Sequence, residues 1–120
     1  MLLRVDISTR DTSAIISPVG EIDLDTVGLL SASLSDTIDA GADRVVVDFA
    51  HVTYIDSAGL GALVGAHKKL RAAGGALVLH CEHPRVMRLL TITGLTKLFT
   101  IESAGTGDLA SAAVPDTAVG

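Results

Sequence analysis

A chain of 120 residues, 48% hydrophobic and 19% charged, has the length and composition of one folded domain with one core. Its formal net charge of −5 and its shortage of rings argue against a nucleic-acid surface, which needs Lys and Arg for phosphates and aromatics for bases. A lone cysteine, Cys81, excludes an internal disulfide.

The opening "MLLRVDISTR" has no charged segment followed by an apolar one, so no export signal is expected. Apolar runs are broken well short of the ~20 residues that span a bilayer, and the expectation is a soluble, cytoplasmic domain. In chain order, Leu3, Val5 and Ile7 alternate as in a half-buried strand, and "SAIISPV" is a second extended run. The polar "RDT" between them predicts a hairpin, while Pro18, which has no N–H to give, should disturb the end of the second strand. "GEIDLDT" reads as a turn into a helix capped by Asp23 or Asp25, with Val27, Leu30, Leu34 and Ile38 at helical spacing and Gly41 beyond its end.

"RVVVDF" is a β-branched run suited to a strand covered on both faces. After "VTYIDSAGLG" a second helix buries Leu60, Leu63, Val64 and Leu70 and stops at "KKLRAAGG", cations in its last turn. Gly61 and Gly65, one turn apart, predict close packing of that helix. "ALVLHC" is another buried strand, "HPRVMRLLTITG" a helix with Pro84 in its first turn and Gly94 as stop, and "KLFTIE" a last strand. "GDLASAA" suits a short helix and "VPDTAVG" a frayed tail. The expected class is α/β, with a hairpin followed by parallel strands and right-handed connections.

Ser57, between Asp56 and a glycine-rich helix start, is the residue that carries chemistry. A serine hydrolase needs a G-x-S-x-G elbow with a histidine base, and in Ile55-Asp56-Ser57-Ala58-Gly59 the first glycine is missing. Histidines stand at 51, 67, 80 and 83, and nothing in the sequence aims one at Ser57. Glycines 59, 61 and 65, with Glu82 beyond, imitate a dinucleotide fingerprint. Their spacing is one residue too long, and about ten residues separate them from the preceding strand. Asp48 ends a strand as a receiver aspartate does, but no acidic pair stands ready to hold its metal. A capping role for Asp56 or Ser57 is compatible with a further one. A serine at a helix start is exposed, and unpaired amides there tolerate a phosphate. Ser57 is therefore expected to be a phosphorylation switch.

Three stretches, "GEIDLDT", "VVVDFAHVTYIDSAGLGAL" and "VMRLLTITGLTKLFTI", resemble the STAS domain family, most of all its single-domain bacterial anti-sigma-factor antagonists. The resemblance runs from about residue 3 to 110. It implies a mixed, mostly parallel β-sheet with an N-terminal hairpin, faced by about four helices, in a domain of residues 1–113 with a tail at 114–120. It also implies an antagonist that, unphosphorylated, binds an anti-sigma factor and frees a sigma factor. That anti-sigma factor would be a serine kinase using ATP; it would phosphorylate the residue at Ser57, and a serine phosphatase would reverse the mark. The implied contact surface comprises Glu21, Asp23, Asp56, Ser57, Ala58, Gly59 and Leu60, with no catalytic residue, cofactor, metal, nucleic acid or membrane. Ala58 stands where many relatives carry a second hydroxyl, leaving one acceptor. A STAS binding module of a stress-signalling or lipid-transport complex is the alternative.

Overall fold

The computed structural model describes residues 2–102. Strands β1 (Leu3–Arg10) and β2 (Ser13–Ile22) form the expected antiparallel hairpin, with Arg10 opposite Ser13. Asp11 takes the left-handed conformation, φ 53°, that a two-residue hairpin turn requires and that Asp tolerates better than most side chains. Helix α1 (Val27–Asp39) follows, then β3 (Arg44–Asp48) and β4 (His51–Ile55). Helix α2 (Ser57–Ala72), β5 (Ala76–His80), helix α3 (Pro84–Ile92), a 3-10 turn at Leu95–Lys97 and β6 (Thr100–Glu102) complete the described chain. The short helix expected in "GDLASAA", and with it the fourth helix and the tail at 114–120, lies outside the described residues.

The main sheet runs β1-β2-β3-β5-β6, parallel from β2 onward. Ala14, Val45 and Leu77 lie in one row of it, and Ile16, Val47, Leu79 and Ile101 in the next. The second row, with Val45 and Leu77, joins one core with Leu30, Leu34 and Ile38 of α1 and Leu60, Leu63 and Leu70 of α2. Val86 and Leu90 of α3 enter the same core, with Leu89 partly buried against it.

Two features depart from the sequence reading around β2. The stretch "GEI" is not a turn: β2 continues to Ile22, and β4, unforeseen, pairs with its end. Ile16 is the last residue of β2 opposite β3 and Val19 the first opposite β4. Pro18 stands in the gap, where on that side no neighbouring strand asks for a donor. Gly20, at φ 118°, sits beside a shift of register, and a Cβ there would run into the Leu2 carbonyl oxygen.

The close-packing glycine is also another one. Gly61 and Gly65 are exposed, with no atom within 4 Å of where a Cβ would stand. They border an open groove of about 290 Å³ between α1 and α2, beside Ser31 and Ser35. Gly59 is the tight one: its Cβ would lie 2.6 Å from Ile55 Cγ1 and 2.7 Å from Ile22 Cγ2. The first turn of α2 is pressed onto the ends of β2 and β4.

Candidate functional site

Parallel pairing of β2 with β4, Glu21 opposite Tyr54 and Ile22 opposite Ile55, brings the segments that follow both strands to one end of the sheet. Those segments are the Asp23–Thr26 turn before α1 and the Asp56–Ser57 start of α2. The Asp56 amide donates to the Ile22 carbonyl at 3.2 Å, locking one to the other.

Each acid then has a defined task. Asp56 is the N-cap: its Oδ1 accepts from the amides of Ala58 (2.9 Å) and Gly59 (3.3 Å). Ser57, the first helical residue, is exposed, and its hydroxyl has no hydrogen-bond partner among the described residues. The amides expected to await a phosphate are thus partly taken, and a phosphate on Ser57 would sit next to the Asp56 carboxylate. Asp23, 8% exposed, turns its Oδ1 inward to the amides of Asp25 and Thr26, both at 3.0 Å. Thr26 closes the turn, its hydroxyl donating to the Glu21 carbonyl at 2.7 Å and accepting from the Asp23 amide at 3.0 Å. Neither acid is the expected cap: Thr26 is the N-cap of α1 and no side chain caps the helix, while Asp23 ties the preceding turn and Asp25 gives only its amide to it.

The seven anticipated residues thus gather at one end but not on one surface. Ser57 is exposed, and Glu21, Asp56 and Ala58 are half-buried. Asp23, Gly59 and Leu60 are buried and shape the surface from behind. Glu21 Oε1 is shielded from solvent and has no partner among the described residues. Leu24 was not anticipated: it is 79% exposed on the Asp23–Thr26 turn, an apolar side chain held in water by a hydrogen-bonded loop. Its signal in the sequence was an isolated Leu between two aspartates.

Nothing here activates Ser57 as a nucleophile. His67 packs edge-to-face on Phe99 at 5.6 Å, and His83 Nδ1 caps α3 by accepting from the Arg85 amide at 3.3 Å. His80, fully buried, pairs through Nε2 with Glu102 Oε1 at 2.9 Å. His51 is exposed on β4. Among the described residues no three His, Cys, Asp or Glu side chains are placed to hold a metal ion, and no helix is long and apolar enough to cross a membrane.

The family model for the STAS domain matches residues 4–105. The chain belongs to the STAS domain family. The anti-sigma-B factor antagonist of Bacillus subtilis is 33% identical over 107 residues, covering 89% of this chain and 97% of that protein. An anti-sigma factor antagonist from Mycobacterium paratuberculosis superimposes with a TM-score of 0.73 at 26% identity, over 83% of this chain and 85% of that one. The antagonist SpoIIAA shares the fold in both its unphosphorylated and its phosphorylated form, with TM-scores of 0.68 and 0.67 and identities of 21% and 22%. Coverage is 84% of this chain and 89% of SpoIIAA for the first form, and 86% and 95% for the second. Like the antagonists to which it is related, this STAS chain is a regulatory binding protein and not an enzyme.

Proposed function

We propose that this STAS domain is an anti-sigma-factor antagonist, acting in the cytoplasm, whose unmodified Ser57 surface binds an anti-sigma factor and frees a sigma factor. The observation that carries the proposal is the division of labour at the start of α2. Asp56 satisfies the helix amides, so the Ser57 hydroxyl is exposed and has no structural duty. A partner kinase with ATP phosphorylates that hydroxyl, and a phosphatase restores it.

The added charge, about −1.5 to −2, arrives beside Asp56, with Asp25 and half-buried Glu21 on the neighbouring segment. A partner fitted to a neutral hydroxyl loses contact through both bulk and repulsion. Loss of about 1.4 kcal/mol is enough for a ten-fold fall in affinity. The contact surface is Ser57, Ala58, Asp56 and Glu21, with Leu24 as its apolar anchor; Asp23, Gly59 and Leu60 hold it in shape.

The test is a pull-down from native cytosol with wild type, Ser57→Ala and Ser57→Asp, then phosphorylation and calorimetry with the recovered kinase. Wild type and Ser57→Ala should bind, Ser57→Asp should bind at least about ten-fold more weakly, and mass spectrometry should place phosphate on Ser57. Thr53 and Tyr54 are also exposed. Phosphate on either, or equal binding by the phosphorylated chain, would overturn the switch.

A further inference from the structure

A second concave surface lies between β4 and α3, outside the family of contacts around Ser57. It is a cleft of about 250 Å³ whose floor is apolar: Ile55 from the strand, and Val86 and Leu89 from the helix. Tyr54, half-exposed, and Ile92, 74% exposed, stand at its rim. Leaving Ile92 in water serves no purpose in the fold, since α3 already buries Val86 and Leu90.

The same rim carries Arg85 and Arg88. Both side chains are exposed, and among the described residues neither guanidinium has an ion-pair or hydrogen-bond partner. The two cations, three residues apart on α3, make the lip of the cleft locally positive on a chain of net charge −5. Elsewhere Arg4 is joined to Asp6 and Lys69 to Asp39. An apolar slot with guanidinium groups at its lip matches one ligand chemistry. Hydrocarbon fills the slot, and a carboxylate at its end meets Arg, whose planar fork donates to two oxygens at once.

We propose that the cleft between β4 and α3 binds a free, single-chain amphipathic carboxylate, its chain over Ile55, Val86 and Leu89 and its head at Arg85 and Arg88. The volume is just under the ~300–1,000 Å³ typical of pockets for drug-sized ligands, which favours a medium-length chain over a two-tailed lipid. The carboxylate supplies the counter-charge that these arginines lack among the described residues.

The experiment titrates the full chain, labelled for amide NMR, with decanoate below its micelle concentration, with decanol, and with anionic phosphatidylglycerol vesicles. Saturable shifts confined to Thr53–Ile55 and to α3 are expected for decanoate, with decanol at least about ten-fold weaker because it lacks the charge-assisted bonds. The double substitution R85A/R88A should abolish the preference for the acid while leaving the amide spectrum folded. I92A should weaken both ligands alike. Equal binding of acid and alcohol would make the cleft a plain apolar patch, and shifts scattered over the chain would mean non-specific adsorption. Sedimentation with the vesicles would assign the arginines to a membrane surface. Absence of decanoate binding, with R85A/R88A instead weakening a protein partner, would assign the cleft to that partner. Each of these four results overturns the proposal.

Discussion

Single atoms decide two behaviours of this chain. At Gly59 the hydrogen in place of a side chain lets α2 sit on Ile22 and Ile55, so Gly59→Ala should cost about 1–3 kcal/mol by overpacking. Gly65, on the same helix but facing open space, should respond in the opposite sense: Gly65→Ala relieves a helix-interior glycine and should add up to about 1 kcal/mol. Urea midpoints of the two variants check both signs. Cys81 is the other case. Burial pushes its thiol up, opposed by a hydrogen bond with the His83 backbone and reinforced by the charge of Glu82. The folded chain therefore holds the thiol proton more tightly than the unfolded chain does. The stability this lends is intact below the unfolded thiol's pKa, about 8.5, and is lost as pH rises from there through the higher folded value. The native protein should react slowly with a thiol reagent at pH 8 and fast in denaturant; fast native labelling would show that Cys81 is accessible.

Among the elements, α2 separates its cap, Asp56, from the exposed hydroxyl of Ser57. Asp56→Ala removes the acceptor of two amides and should destabilise by about 0.5–2 kcal/mol, whereas Ser57→Ala, with no bond to lose, should leave thermal unfolding nearly unchanged. If Ser57→Ala proves as costly as Asp56→Ala, the hydroxyl shares the cap. The sequence made α2 plain through Leu60, Leu63 and Leu70, and made β3 and β5 plain through their β-branched and apolar runs. It concealed β4 for a physical reason. Glu21 pairs with Tyr54 one step after Gly20 pairs with Val52, so Thr53 is an extra residue in the ladder. The buried residues of β4, Val52 and Ile55, are consequently three apart, a spacing that imitates a helix and breaks the alternation by which a strand is read. Asp56, Ser57 and Asp23 were legible as helix-start residues. The loss of Gly59 and Leu60 from the surface was not, because it depends on Ile22 arriving from a distant strand.

At the scale of the whole molecule, β2 is the hub, with β1 along one side and β3 and β4 sharing the other. Synthesis delivers these partners in a fixed order. The β1–β2 hairpin is complete long before residues 44–55 exist, and meanwhile the second edge of β2 is an open row of backbone donors and acceptors. Such an edge is a template for another chain's strand. Pro18 divides it: four residues, 13–16, await β3, four more, 19–22, await β4, and a foreign strand finds no continuous ladder across both. The break that makes room for two native partners also guards the half-made protein against aggregation. Pro18→Val should therefore leave more insoluble chain after refolding at micromolar concentration, measured by light scattering, even where the folded variant is equally stable. Equal recovery of both chains would show that the gap matters only to the finished sheet.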